Sequence, residues 1–73
     1  MKNYIKMNKQ QVGTKIWKLI DSSEMTIEQV ANSLCLESPR VIYDWISGKK
    51  MPTLERAYNL ARLFETSIEA IFF

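Results

Sequence analysis

Residues 25–48, MTIEQVANSLCLESPRVIYDWISG, write the ends of two short helices into their side chains. Thr26 and, three residues on, Gln29 form a capping-box pattern, in which each side chain can satisfy the other residue's free backbone N–H. Met25 and Val30 stand where a hydrophobic staple would close over that box. Ser38-Pro39 opens the next helix, because Ser is a strong N-cap and Pro suits a first helical position whose N–H has no partner. That helix stops at Gly48. The expected spans are about 27–34 and 39–47, leaving Cys35, Leu36 and Glu37 for the turn. Helices this short are marginal in water alone, so the rest of the chain must hold the pair in place.

The remaining segments supply such a support. From Gln10 to Ser22 the apolar residues Val12, Ile16, Leu19 and Ile20 recur on one helical face. Trp17 lies off that stripe, either covering the edge of the core or forming part of a binding or dimer surface. In the third helix Ile42, Trp45 and Ile46 share a face and are expected to point inward. Thr53 caps a fourth helix whose apolar face is read as Leu54, Ala57, Tyr58, Ala61 and Phe64, flanked by Leu60 and Leu63. Thr66 or Ser67 caps a final short helix carrying Ile68, Ile71, Phe72 and Phe73. The expected fold is all-α, a compact five-helix bundle in one domain, 1–73, with a basic N-terminal arm, 1–9, and a helical core, 10–73. Tyr4, Ile5 and Met7 give that arm enough apolar surface to be partly packed.

Composition removes several function classes. A single cysteine, Cys35, cannot form an internal disulfide and is expected to be a small buried or half-buried residue. Without histidine or a second cysteine there is no sensible zinc site. No glycine-rich phosphate loop occurs, and no pair of carboxylates is forced into one pocket. The expectation is no enzyme, no cofactor and no metal. No stretch approaches the ~18 apolar residues of a membrane span, and the N-terminus lacks a signal peptide's apolar core. A cytoplasmic protein with no membrane role is expected.

The formal net charge of +2 is small, but it is unevenly spread. Five lysines and no acid precede Leu19, whereas Asp21, Glu24, Glu28 and Glu37 follow with no base among them. From Arg40 to Arg62 the balance turns positive again, with Arg40, Lys49, Lys50, Arg56 and Arg62 against Asp44 and Glu55. A fold that brought Lys49 and Lys50 to the basic N-terminal segment would make one face positive; otherwise the pattern is an ordinary solvated surface. On the third helix, turning Ile42, Trp45 and Ile46 inward leaves Arg40, Val41, Tyr43, Asp44 and Ser47 outward or at the edges. Arg40 near the helix start can reach N7 and O6 of guanine, and Asp44 one turn later can accept from cytosine N4 or hold Arg40 in position. Tyr43 can meet a phosphate or a thymine methyl. Any soluble surface helix carries such residues, so their context decides.

In order and nearly without gaps, the chain has Ile16 and Leu19, Met25-Thr26, Val30-Ala31, Leu34, Ser38, Ile42, Trp45, Ser47-Gly48-Lys49, Pro52-Thr53-Leu54, Ala61, Phe64 and Ser67-Ile68. With these residues, from about Val12 to Ile71, it resembles the Cro and lambda-repressor-like helix-turn-helix family, also called the XRE family. The resemblance implies a compact five-helix domain that binds operator DNA, usually as a dimer. Carried over residue by residue, it implies base reading by Pro39, Arg40, Val41, Tyr43 and Asp44. Phosphate contacts would fall on Thr26, Gln29, Ser38, Ser47, Lys49 and Lys50. The implied partner is double-stranded DNA with a two-fold operator. A homodimer through Ile68, Ile71, Phe72 and Phe73 would account for the surplus of apolar residues at the C-terminal end. A small repressor of phage or mobile-element type is the leading expectation. The alternative is a protein-interaction module, an antitoxin or adaptor, that uses the apolar C-terminus and Trp17.

Three departures from the family pattern stand out. Ile27 replaces the frequent Gln that touches a phosphate after the second helix's cap. Leu36-Glu37-Ser38 makes the turn one residue longer than usual. Ile20 and Ile46 occupy positions where the family often has an Arg–Glu ion pair, and such a pair is replaced by packed apolar residues at little or no cost in stability. Ile20 and Ile46 are therefore expected to touch.

Overall fold

The computed structural model describes residues 6–73, in which five helices follow one another with no strand among them. They are α1 (Lys9–Ser22), α2 (Ile27–Ser33), α3 (Arg40–Ile46), α4 (Leu54–Leu63) and α5 (Ile68–Phe72). Lys2, Tyr4 and Ile5 of the expected arm lie outside the described residues, while Lys6 and Met7 are exposed. Each helix contributes one side chain less than 2% exposed: Ile16, Val30, Ile42, Leu60 and Ile71. Around these five pack Val12, Ile20, Ala31, Trp45, Ala57, Ala61 and Phe72, so a single core joins all the helices.

The helix starts follow local chemistry. Thr26 and Gln29 close the reciprocal box, with Thr26 N–H donating to Gln29 Oε1 at 2.8 Å and Gln29 N–H donating to Thr26 Oγ1 at 3.1 Å. Thr53 and Ser67 accept from Arg56 N–H and Ala70 N–H, and Ser67 rather than Thr66 caps α5. Asn8, which the sequence reading passed over, caps α1 by accepting from the N–H groups of Gln10 and Gln11.

Three helix ends share one closure, in which the chain enters the left-handed region and turns its N–H groups back onto the last carbonyls. After α2, Leu36 N–H donates to Ala31 O and Cys35 N–H to Asn32 O. After α3, Lys49 N–H donates to Asp44 O and Gly48 N–H to Trp45 O; after α4, Thr66 N–H donates to Ala61 O and Glu65 N–H to Arg62 O. Only one of the three left-handed residues is glycine: Gly48 has φ +81°, but Cys35 has +56° and Glu65 +55°. Cys35 is exposed rather than buried or half-buried, because its place in this turn directs the side chain to solvent.

Gly13 lies in the middle of α1, where glycine ordinarily weakens a helix. A methyl group there would lie 2.5 Å from the Ile46 carbonyl oxygen and closer still to that of Trp45. Glycine therefore lets the α1 backbone rest directly on the end of α3. Ile20 is buried and Ile46 half-buried on the edge of the same core, so Ile46 points inward only in part.

The inward face of α4 differs from the expected one. Ala57, Leu60 and Ala61 are buried, with Phe64 half-buried after them, while Leu54 is 79% exposed and Tyr58 51%. Both sets have the spacing of a helix face, and the two alanines belong to both. The docking of α5 on α4 decides between them, since Ala57 and Ala61 leave room for its approach. That docking buries Ile71 and Phe72, which are 1% and 6% exposed and therefore cannot serve as a dimer contact; of the expected set only Phe73, at 55%, is freely exposed, with Ile68 half-buried.

Candidate nucleic-acid interface

The site is built on α3 and what fixes its orientation. Ser38 Oγ accepts from Arg40 N–H at 3.0 Å, and Pro39 already has helical dihedrals, so the Ser-Pro pair starts the helix as the sequence suggests. Ile42 and Trp45 are buried against α1 and the core, which leaves Arg40, Tyr43 and Ser47 exposed in a row along the outer side. Val41 and Asp44 are half-buried on that helix, and Ser38 and Pro39 half-buried at its start. The turn before it meets α4 at the surface, where the Arg56 guanidinium reaches the exposed Glu37 carboxylate at 3.1 Å.

Asp44 does not hold Arg40. Gly48 turns the chain back over the helix end, so Lys50 comes within 3.9 Å of the Asp44 carboxylate and the Asp44 carbonyl accepts from both Lys49 and Lys50 N–H. Arg40 is left exposed with no ion-pair partner among the described residues. Ser47 is also exposed, its hydroxyl donating to the Asp44 carbonyl at 3.2 Å.

The same turn unites the basic segments. A methyl on Gly48 would lie 3.0 Å from Gln10 Cγ, so the Lys49-Lys50 loop abuts the start of α1 beside Lys9. This brings the backbone that carries Lys49 and Lys50 to the helix start that follows Lys9. Asp21, Glu24 and Glu28 gather instead at the far end of α1, around a groove that also exposes Trp17 and Tyr43. At the start of α2, Thr26 and Gln29 are exposed. The box occupies Gln29 Oε1 and the Thr26 oxygen, and leaves the Gln29 amide N–H₂ and the Thr26 O–H proton free to donate outward.

Among the described residues no polar or charged side chain is buried, and no group of three His, Cys, Asp or Glu side chains could hold a metal ion. No described helix is long and apolar enough to cross a membrane. What the arrangement can do is lay a short, polar, cation-headed helix into a groove, with donors for anions on either side.

A helix-turn-helix family model matches residues 18–71, the span from the second half of α1 into α5. The chain belongs to the Cro and lambda-repressor-like helix-turn-helix family. No curated protein and no solved structure matches it. In this helix-turn-helix protein α2 and α3 are the two helices for which the family is named, and the family is one of DNA-binding regulators. Gly13, Asn8 and the Glu37–Arg56 pair were not legible beforehand. A glycine inside an otherwise regular apolar period was the one available signal for Gly13.

Proposed function

We propose that the protein is a sequence-specific transcriptional repressor, of the small phage or mobile-element type, that reads the major groove of DNA with α3. The single observation that carries the reading is Arg40, exposed and unpaired at the head of a buried-backed helix flanked by Lys49 and Lys50. A guanidinium there can make two parallel hydrogen bonds to guanine O6 and N7, the commonest specific contact to a base pair. Pro39, Val41, Tyr43 and Asp44 join it on the base side. Thr26, Gln29, Ser38, Ser47, Lys49 and Lys50 meet phosphates, which fix register rather than sequence. Asp44 accepts from cytosine N4 once Lys50 leaves it for a phosphate, an inexpensive exchange because exposed ion pairs are weak. The functional unit is a homodimer on a two-fold operator, one α3 per half-site.

Fluorescence titration of selected and random duplexes at several salt concentrations tests this reading. The logarithm of the affinity is expected to fall linearly with the logarithm of salt concentration, by roughly 0.9 per phosphate neutralised. Affinity that is indifferent to salt would remove phosphate contact and the reading with it. A second reading, a protein-interaction module, is favoured by half-exposed Trp17 in its acid-edged groove. A salt-independent complex with a protein and none with DNA would select it.

A further inference from the structure

The two tryptophans of the chain have opposite surroundings. Trp45 is buried in the core, whereas Trp17 on α1 is exposed. With exposed Tyr43 of α3 and half-buried Met25, Trp17 lines a groove of about 460 Å³. Asp21, Glu24 and Glu28 line the same groove, all three exposed, and no lysine or arginine does. Among the described residues none of these carboxylates takes part in an ion pair. A chain of net charge +2 thus gathers three uncompensated negative charges around its one exposed tryptophan. Aromatic rings left in water at such a place would gain from a partner that covers them, because their burial is among the largest apolar contributions a side chain can make.

We propose that this groove docks a segment of another protein that presents arginine side chains among apolar ones. A guanidinium stacks on the faces of tryptophan and tyrosine and pairs with carboxylates through its fork of N–H donors, so a single residue type satisfies both the aromatic and the acidic parts of the groove. Tryptophan, tyrosine and arginine are also the side chains that dominate binding energy at protein interfaces. The groove lies open to solvent. A small molecule in it would keep much of its surface in water, whereas pockets that hold such molecules bury roughly 70–90% of them. An extended segment instead lays several side chains along the groove. An acidic segment is repelled by the three carboxylates, which gives the surface a preference by charge as well as by shape. The inference goes beyond the DNA reading and stands whether or not α3 binds a duplex.

The indole N–H resonances of the full chain, followed by NMR without DNA, test the docking. The probe is a capped hexapeptide of alternating arginine and leucine, set beside one of alternating glutamate and leucine. The arginine peptide is expected to shift the Trp17 resonance to saturation and to leave that of Trp45 in place, and the glutamate peptide to shift neither. Neutralising the groove with Asp21→Asn, Glu24→Gln and Glu28→Gln together is expected to weaken binding at least ~10-fold. Trp17→Ala, followed through the backbone amide of Tyr43, is expected to do the same. Glu55→Gln, Glu65→Gln and Glu69→Gln together change the net charge equally but lie on α4, α5 and the turn between them, and should alter affinity by less than ~2-fold. An unmoved Trp45 resonance in each variant shows that the fold is kept. Equal weakening by the two triple variants would reveal a general charge effect, and arginine amide binding as tightly as the hexapeptide would reveal a small-cation site. Either result, or a Trp17 resonance that does not move, would overturn the proposal. None of these readouts involves a duplex, so the docking and the DNA reading fail separately.

Discussion

Arg40 and Lys49 carry the same charge within a few residues of each other, yet their surroundings predict different losses. Arg40 projects from the outer row of α3, where a planar guanidinium can read a base edge; Lys49 sits in the loop, where a flexible ammonium can meet only the backbone. Arg40→Ala should cost ~1–3 kcal/mol on the cognate site and relax preference at one base pair, whereas Lys49→Ala should weaken all sequences alike and lower the salt slope by about 1. Competition binding with single-base operator variants separates the two. Residue-scale strain gives a second prediction. A side chain in the left-handed region costs roughly 1–2 kcal/mol, part of which glycine returns as greater freedom in the unfolded chain. Cys35→Gly and Glu65→Gly should therefore each stabilise the fold by about 0.5–1 kcal/mol in urea denaturation, while Gly48→Ala should destabilise it, since Gly48 also needs the space beside Gln10.

At the scale of elements, the seam between α1 and α3 decides where the recognition helix lies. Gly13→Ala should raise the intrinsic helix stability of α1 by about 0.8–1 kcal/mol. The new methyl has no room against the Trp45 and Ile46 carbonyls, so the net effect should be a loss of more than about 2 kcal/mol, with weaker DNA binding as α3 is pushed outward. Thermal melting and titration of one preparation measure both. Direct contact between Ile20 and Ile46 remains a proposal, for which a double-mutant cycle with alanine should give a coupling of at least about 0.5 kcal/mol. Helix starts were legible in the sequence because a cap is made by residues three apart, as Thr26 with Gln29 and Thr53 with Arg56 show. The outward row of α3 was legible for a similar reason, once Ile42 and Trp45 were turned inward. The buried side of α4 was not, because Ala57 and Ala61 fit two faces equally and only the distant α5 chooses between them. Nor was the pairing of Asp44 with Lys50, which depends on how the chain folds back at Gly48.

For the molecule as a whole, a chain of 73 residues carries a total stability of about 4–11 kcal/mol on the usual per-residue scale. Truncating one fully buried branched side chain costs ~2–5 kcal/mol, so Ile42→Ala should leave much of the population unfolded at physiological temperature and abolish DNA binding without touching the outer face of α3. Circular dichroism beside a binding assay would show the two losses together. Charge organisation also belongs to this scale: the basic end around Lys9 and the Lys49-Lys50 loop, set against the acids at the far end of α1, gives the molecule a preferred heading toward a polyanion. The five innermost side chains, one from each helix, meet in a single core. No helix can detach without hydrating the inner faces of the others, so backbone amides near Ile16, Val30, Ile42 and Leu60 should exchange with deuterium at one common free energy, that of global unfolding. α3 would then have no private melting transition, and even α5, at the other end of the chain, would govern how long α3 stays folded.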